Sequence, residues 1–386
     1  MCMTSSEILE RFRSSDKTKP MNYYLFDREK FDHHISDFRQ AFKRVSPEGG
    51  LIIGYSTKTN PHPFVLKAAM ENGCYAEIVS PHELQLVLGV GFPKKRIIYN
   101  GIIPDADGKY DIAKNGGIVN LESALEVKQI VDIANERKKK VEIGLRLNLD
   151  IGNGRKSRFG INPDTPEFRY SIKQIFGSEY VDVRGFHSHV YGGRDIAYWK
   201  RRSYDVAKMA RRYYCRYIDL GSNMYGFMDD RMKSQFQCTI PRFEEYAHVV
   251  AESMNIAFDG AEKPTIILEP GTPLISDCVS VLSRIENIRE IRGDVIATLS
   301  CSEYDCGFTP ATKNVPIDVI HTGENPPDEY EDLNFYGYTC TEGDVLHRHW
   351  SGKAAIGDLV LLRNVGAYSY SLSNSFIMPP AEFVEI

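Results

Sequence analysis

The sequence predicts an α/β protein: a closed (β/α)8 TIM barrel followed by an all-β domain, sandwich-like or barrel-like, that also takes in the N-terminal strand. Short apolar runs alternate with helix-like stretches over roughly the first 270 residues, and eight such units predict a closed parallel barrel. Beyond residue 275 the pattern changes to short β-like runs. The aromatic segment 21–27 adds a further strand.

The individual elements follow from these periodicities. The candidate barrel strands are Leu51–Tyr55, Tyr75–Val79, Arg96–Tyr99, Gly117–Asn120, Val141–Asn148, Val183–His189, Tyr217–Leu220 and Thr265–Glu269. Helical periodicity covers Lys30–Val45, Pro63–Asn72, Pro81–Gly89, Ala124–Lys140, Ala197–Tyr214 and Pro241–Asn255. Later β runs are Val279–Arg284, Asp294–Leu299, Leu359–Leu362 and Glu382–Ile386, and His321–Leu333 is expected to be an acidic surface loop. We therefore expect a barrel domain over 28–275 and a β domain formed by 1–27 and 276–386.

Composition limits the class of protein. The chain of 386 residues exceeds a typical single domain, and its 42% apolar and 26% charged residues are ordinary for a soluble globular protein. A net charge of -5 argues against nucleic-acid and acidic-membrane partners. No apolar stretch approaches the ~20 residues that span a bilayer. The polar N-terminus and eight cysteines without a framework spacing predict a cytoplasmic protein with reduced thiols.

The ends of the predicted strands carry the chemically informative residues. In a parallel barrel the active site lies at the carboxyl ends of the strands. One lysine, one residue able to stack on a ring, one anion loop and one acid are what a pyridoxal 5'-phosphate site needs. We therefore predict this cofactor, and no metal, from the strand-end residues Lys58, Arg146, His189, Gly221, Ser222, Asn223 and Glu269.

Each of these residues also has an ordinary structural explanation. Lys58 is either a solvated strand end or a nucleophile, which partial desolvation and a nearby cation would activate. His187 is best explained as a residue that fills the barrel, whereas His189 is the candidate for ring stacking. Gly221-Ser-Asn223 has the composition of an ordinary turn and is also a candidate phosphate-binding loop. A buried Glu269 is costly unless a cation such as a pyridinium nitrogen is its partner.

Taken together, the chain resembles the pyridoxal-phosphate-dependent decarboxylases with an alanine-racemase-like barrel, the group that includes diaminopimelate and ornithine decarboxylases. The resemblance covers nearly the whole chain, from about residue 24. Its motifs occur in the family's order. They are Tyr55-Ser-Thr-Lys58-Thr-Asn60, Ser157-Arg-Phe-Gly-Ile161, His187-Ser-His189, Glu269-Pro-Gly271, Cys340-Thr-Glu-Gly-Asp344 and Gly366-Ala-Tyr368.

This resemblance implies a role for each matching residue. Lys58 would form the Schiff base with the cofactor, His189 would stack on its ring, and Glu269 would pair with the ring nitrogen. It also implies a homodimer with shared active sites, in which Cys340 of the partner subunit, or else Lys58, protonates the intermediate. The remaining implied cofactor contacts are Glu77 and Arg146 near the lysine and the ring, and Gly221, Ser222, Asn223, Gly271 and Tyr368 around the phosphate.

The substrate positions depart from the diaminopimelate decarboxylase pattern. Thr272 and Thr309 replace two arginines, and Thr341 replaces an acid, so a charged distal group loses its anchors. We therefore expect a decarboxylase that removes the α-carboxylate of an amino acid, or of a conjugated or carrier-bound amino acid, in a specialised biosynthetic pathway. Arg194 is the candidate relocated anchor, and Asp305 and Glu342 are further candidate substrate contacts.

Other functions remain open at this point. The chain could be an ordinary diaminopimelate decarboxylase or an ornithine or lysine decarboxylase. An amino-acid racemase on the same barrel is disfavoured by Glu269 and Cys340, and a catalytically inactive homologue is disfavoured by the retained lysine. A metal-dependent hydrolase is the most remote, because the His-x-His pair lies on the sixth rather than the first predicted strand.

Overall fold

The structure is a computed structural model that describes residues 5–12, 21–43, 45 and 50–386. Its packing divides the chain into two compact units. The barrel unit comprises Ile35–Tyr225 and Ile240–Gly271. The β unit comprises the described residues up to His34, together with Gly226–Thr239 and Thr272–Ile386. Residues 28–34, 226–239 and 272–275, which the sequence analysis assigned to the barrel, therefore pack in the β unit.

The barrel unit contains eight parallel strands that close on themselves. Each strand pairs with the next in the chain, and the last pairs with the first through Leu51 opposite Ile266. The predicted barrel is confirmed, and every predicted strand is present with ends shifted by a few residues. The strands are β2 (Leu51–Ser56), β3 (Tyr75–Ile78), β4 (Ile97–Tyr99), β5 (Ile118–Leu121), β6 (Val141–Arg146), β7 (Val181–His187), β8 (Tyr217–Asp219) and β9 (Thr265–Leu268).

Helices fill the intervals between these strands. Several begin at a side-chain cap, as at Ser80, Ser123 and Thr165, whose hydroxyls accept a backbone N–H of the first turn. Two helices of the barrel unit, over Ala106–Lys114 and Pro166–Phe176, are not among the predicted ones. The chain-order list is α2 (Arg28–Phe42), α3 (Pro63–Glu71), α4 (Pro81–Val90), α5 (Ala106–Lys114), α6 (Ala124–Arg137), α7 (Pro166–Phe176), α8 (Ile196–Arg212) and α10 (Phe243–Ala257), with α1 (Ser5–Phe12) and α9 (Asp230–Lys233) in the β unit.

The β unit is built on a mixed sheet of eight strands. The strands are β1 (Tyr23–Phe26), β10 (Val279–Ile291), β11 (Asp294–Leu299), β12 (Ile317–Ile320), β13 (Asp328–Tyr336), β14 (Val345–Ala354), β15 (Leu359–Leu362) and β16 (Glu382–Glu385). The N-terminal strand β1 pairs antiparallel with β10 and parallel with β16, as the sequence analysis expected. Two short helices, α11 (Thr272–Ile275) and α12 (Glu303–Cys306), complete the unit.

The acidic segment His321–Leu333 corrects one prediction. Its composition predicts a surface loop, but its second half begins strand β13, which pairs with β11 and β14. Leu333 and Phe335 are buried while most of the acids between 328 and 332 are exposed. The acidic part of β13 pairs with β14, and Leu333–Tyr336 pair with β11 as well. Local composition does not reveal this pairing. Among the described helices, none combines the length and apolar composition needed to cross a bilayer.

Candidate active site

The carboxyl ends of the barrel strands carry most of the predicted cofactor residues. Parallel strands of a closed barrel end at one rim, so residues that follow different strands become neighbours. Lys58 lies in the short 3-10 turn directly after β2, and His189 lies two residues beyond β7. The residues that the fold brings to this rim are Lys58, Glu77, Arg146, His189, Gly221, Ser222, Asn223, Glu269 and Gly271.

The ammonium group of Lys58 is paired with a buried carboxylate. Its Nζ lies 2.5 Å from Oε2 of Glu77 and 2.7 Å from Oγ of Ser56. The Ser56 hydroxyl donates to the same Glu77 oxygen at 2.7 Å. The Glu77 side chain is 1% exposed, whereas the Lys58 side chain is 36% exposed. Nζ is therefore held in place and still open to reaction, as a covalent attachment point requires.

Glu269 and Asp219 are two buried carboxyl groups at the ends of neighbouring strands. Burial and the adjacent Glu269 raise the pKa of Asp219 well above its ordinary range, so Asp219 keeps its proton. Burial alone would raise the pKa of Glu269, but His187, Lys58 and the Asp219 hydrogen bond hold that pKa well below its usual value. One group is therefore a neutral acid and the other a carboxylate.

Two buried asparagines that the sequence analysis missed orient these acids. Nδ2 of Asn100 donates to Oε1 of Glu77 at 3.1 Å and to Oε1 of Glu269 at 2.6 Å. Nδ2 of Asn120 donates to Oδ1 of Asn100 at 2.9 Å and to Oδ2 of Asp219 at 3.2 Å. Because carboxylates only accept, the amide nitrogen of Asn100 must face them. The available signal was position, since both asparagines end predicted barrel strands or follow them directly.

His189 presents a neutral ring at the rim. Burial, with the charges of Arg146 and Lys58, holds the pKa of His189 well below its ordinary value. The backbone N–H of Ser222 donates to its Nδ1 at 3.3 Å, which places the ring proton on Nε2. Arg146 pairs with Glu122 at 3.0 Å and lies close to the His189 carbonyl. A neutral, flat imidazole suits stacking on another aromatic ring.

The loop after β8 has a backbone suited to an anion. Gly221 and Asn223 have φ values of 57° and 73°, and such left-handed residues turn successive amides toward one concave side. A Cβ on Gly221 would lie 2.7 Å from Nδ1 of His189, so glycine is required there. The amides of Asn223 and Met224 have no hydrogen-bond partner in the described part of the chain. Two N–H groups are thus left for a ligand.

Helix α8 also contributes two residues that the sequence analysis did not name. Trp199 donates from Nε1 to the carbonyl of Asn223 at 3.4 Å. Arg202, one turn later, is 1% exposed and donates from Nη2 to the carbonyl of Ser222 at 3.1 Å. Its guanidinium stacks 3.9 Å from the centre of the Trp199 ring. The available signal was an arginine three residues after Trp199, on the same face of a predicted helix.

Arg194 and Gly271 complete the predicted residues of the barrel unit. Nε of Arg194 donates to Oδ1 of Asn223 at 3.3 Å, and its guanidinium lies 4.9 Å from the centre of the Tyr225 ring. A Cβ on Gly271 would lie 1.9 Å from Oγ1 of Thr59. Gly271 therefore allows the chain after β9 to pack closely against the turn that carries Lys58.

The other predicted residues belong to the β unit. Cys340 and Thr341 are exposed in the loop between β13 and β14. Asp344 holds this loop by accepting the backbone N–H of Thr339 at 3.0 Å and that of Glu303 at 2.7 Å. Thr272 begins α11, and Tyr368 has a φ of 60°. The remaining predicted residues of this unit are Thr309 and Glu342.

Asp305 already has structural partners. Its Oδ2 accepts Nδ2 of Asn22 at 3.1 Å and the backbone N–H of Ser302 at 2.9 Å. Asp305 is 3% exposed, and burial raises its pKa. These bonds close the first turn of α12, so the substrate role of Asp305 stays a prediction that its contacts do not require.

The rim chemistry fits pyridoxal 5'-phosphate. Oγ1 of Thr57, Oγ1 of Thr59 and Oγ of Ser188 are buried without a hydrogen-bond partner among the described residues. Buried polar groups are normally paired, and these three residues adjoin Lys58 or His189 in the chain, so they indicate a polar ligand at the rim. An accessible lysine, a neutral ring, a buried carboxylate and a loop with unpaired amides are the set that this cofactor uses.

Comparisons with known proteins agree with this chemistry. Diaminopimelate decarboxylase of Methanocaldococcus jannaschii is 25% identical over 371 residues, which cover 92% of this chain and 83% of that protein. The crystal structure of that species' diaminopimelate decarboxylase matches with a TM-score of 0.84 at 22% identity, over 98% of this chain and 88% of the other. The structure of the arginine decarboxylase of Paramecium bursaria Chlorella virus matches with a TM-score of 0.80 at 18% identity, over 99% of this chain and 100% of the other.

A family model decides the assignment. The model for the pyridoxal-binding domain of the pyridoxal-dependent decarboxylases matches residues 27–276, well over half of the chain. The matched range contains Lys58, His189 and Glu269. The chain therefore belongs to the pyridoxal-dependent decarboxylases, and with this membership the predicted cofactor, pyridoxal 5'-phosphate, and the predicted reaction class, a carboxy-lyase, are confirmed.

Proposed function

We propose that this protein removes the α-carboxylate of a diamino acid of the diaminopimelate type. The observation that carries the decarboxylase chemistry is the pairing of Lys58 with the buried Glu77 at the barrel rim, close to the ionised Glu269. The relatives named as diaminopimelate decarboxylases support this substrate class better than the specialised pathway expected from the sequence. The conjugated or carrier-bound substrate thus becomes the second candidate, with Thr272, Thr309 and Thr341 as its support.

Each residue of the rim has a separate task in this proposal. The bound cofactor supplies an electron sink for the pair of electrons left when carbon dioxide departs. Lys58 holds the cofactor covalently through Nζ. Glu269, which stays a carboxylate, stabilises a positive charge placed against its oxygens. His189 offers the face of a neutral ring, and the amides after Gly221 bind an anion.

The proton that replaces the carboxylate needs a donor. We assign this role to Sγ of Cys340, which is exposed in its loop. In the homodimer that the family resemblance implies, this cysteine would serve the partner's site. A cytoplasmic location belongs to the same proposal.

Substrate selection is assigned to Arg194. Its guanidinium is oriented by Asn223 and by the face of Tyr225 but has no carboxylate partner in the described part of the chain. A planar guanidinium binds a carboxylate with two parallel hydrogen bonds. Arg194 would therefore anchor the distal carboxylate of the substrate.

The test is carbon dioxide release by the cofactor-loaded protein. The panel contains meso-diaminopimelate, ornithine, lysine, arginine and a citryl-conjugated amino acid. Turnover of meso-diaminopimelate is expected. Arg194→Ala should raise its KM about tenfold with little change in kcat, since one charge-assisted anchor is lost, whereas Arg201→Ala on the neighbouring helix α8 should not. Turnover of the conjugate alone would overturn the diaminopimelate assignment, and racemisation without carbon dioxide would overturn the decarboxylase.

A further inference from the structure

The guanidinium of Arg202 is a buried cation that lacks a compensating charge. It is 1% exposed, and its Nε and Nη1 are buried without a hydrogen-bond partner in the part of the chain that the structure describes. None of the described carboxylates lies within 4.0 Å of it. A buried charge without an opposite charge beside it is destabilising by several kcal/mol, so the uncompensated guanidinium of Arg202 indicates an anionic ligand.

The position of Arg202 indicates where this anion binds. Nη2 is bonded to the carbonyl of Ser222, in the middle of the loop whose next two amides are unpaired. Trp199 binds the neighbouring carbonyl of Asn223 from the same face of α8. Helix α8 thus binds the carbonyl groups of Ser222 and Asn223. A phosphate bound by the amides of the same loop would lie near the guanidinium of Arg202.

The charged groups around Arg202 leave this charge in place. Burial lowers the pKa of the guanidinium to about 9, while Asp219, Tyr246 and Glu269 act in the opposite direction. Arg202 therefore remains protonated near neutral pH. Asp219 keeps its own proton, and the ionised Glu269 has no oxygen within 4.0 Å of the Arg202 nitrogens. Neither carboxyl neutralises Arg202 directly.

We propose that Arg202 is the countercharge for the phosphate group of the cofactor, acting from behind the Gly221–Asn223 loop. This inference rests on the proposed function and goes beyond it, because it gives the phosphate a side chain from α8. It also accounts for how a loop in which Ser222 and Asn223 follow a single glycine can hold a dianion. Backbone amides position the phosphate, and the buried cation supplies the electrostatic attraction.

The experiment compares Arg202→Met with the wild type and with Arg211→Met, an exposed arginine of the same helix. Cofactor affinity is measured by absorbance for pyridoxal 5'-phosphate and for pyridoxal, which lacks the phosphate. Arg202→Met should weaken pyridoxal 5'-phosphate at least about tenfold and pyridoxal less than about twofold, because the lost interaction is with the phosphate alone. The affinity of Arg202→Lys for pyridoxal 5'-phosphate should lie between those of the wild type and Arg202→Met, and the affinity of Arg211→Met should match the wild type.

Thermal unfolding of the cofactor-free protein supplies a second readout. Inorganic phosphate should raise the Tm of the wild type and not that of Arg202→Met. Without phosphate the variant should unfold at the same or a higher temperature, because an uncompensated cation has been removed. A lower Tm in both buffers, or equal losses for both cofactor forms, would show a structural role and overturn the inference. If the wild type itself does not bind pyridoxal 5'-phosphate, the proposed function fails instead.

Discussion

Lys58 and Glu77 form an ion pair at the carboxyl ends of the first two barrel strands, with Nζ 2.5 Å from Oε2. The pairing follows from strand register, since Ser56 at the end of β2 lies opposite Glu77. Glu77 also accepts hydrogen bonds from Ser56 and Asn100, which keep its carboxylate from turning away. The lysine is thereby held at one position on the rim.

Replacing Lys58 by alanine tests the covalent attachment. The variant should still fold, since Glu77 keeps its hydrogen bonds from Ser56 and Asn100. It should lose activity by a factor of about a thousand or more, because the nucleophilic amine is absent. Mass spectrometry after borohydride reduction should find the cofactor attached to the wild type and to Lys67→Ala, whose lysine is exposed on α3, and not to Lys58→Ala. Cofactor attached to another lysine in the variant would contradict the assignment.

The carboxyl pair predicts a specific pH dependence. The raised pKa of Asp219 means that its contribution to stability is complete below about pH 4, the unfolded value, and is lost as pH rises through the folded pKa. In the Asp219→Asn variant the side-chain amide carries its hydrogens at every pH. Urea unfolding should therefore show Asp219→Asn gaining stability relative to the wild type as pH rises above about 4.

The lowered pKa of Glu269 produces the opposite trend, because stability is lost as pH falls through its folded pKa. This trend is present in both the wild type and Asp219→Asn, so it cancels when the two are compared. The exposed Asp132→Asn serves as control and should differ from the wild type by an amount that does not vary with pH in this way. A pH-independent difference for Asp219→Asn would rule out the proton on Asp219.

Alanine substitutions at Gly221 and Gly260 distinguish the cost of backbone strain from an effect on the site. Both have a positive φ, of 57° and 66°, but a Cβ on Gly221 meets the His189 ring while one on Gly260 meets nothing within 4 Å. Gly260→Ala should cost about 1 kcal/mol in unfolding free energy and leave cofactor affinity unchanged. Gly221→Ala should also weaken cofactor binding about tenfold, because His189 must move. Equal cofactor affinity in the two variants would refute this interpretation of the loop.

A buried ion pair between α5 and α6 predicts a large effect on stability. Lys109 and Glu126 form a short contact and are 1% and 3% exposed. Lys109→Met should lower the unfolding free energy by about 3–5 kcal/mol, since Glu126 is left buried without its partner. Lys128→Met, which breaks the exposed pair with Asp132, should leave denaturant unfolding almost unchanged. Similar midpoints for the two variants would contradict the prediction.

The barrel rim shows which residue positions can be predicted from the sequence and which cannot. Lys58, His189 and Glu269 could be predicted to lie at the rim because each ends an apolar run or follows one within three residues, and strand ends of a barrel converge by topology. Asn100 and Asn120 occupy equivalent positions but resemble ordinary turn residues. Strand β13 was not predicted because its acidic residues are typical of a surface loop and its pairing with β11 and β14 cannot be read from local composition.

The sequence by itself determined the barrel, its strand ends and the cofactor, because these depend on local periodicity and on which residue types follow each strand. Only the tertiary structure decided which side chains meet. Asn100 joins Glu77 to Glu269 across three strands, and Arg202 reaches the Ser222 carbonyl from a helix. Such contacts depend on strand register, on barrel closure and on the face a helix turns inward, which bring together residues far apart in the chain.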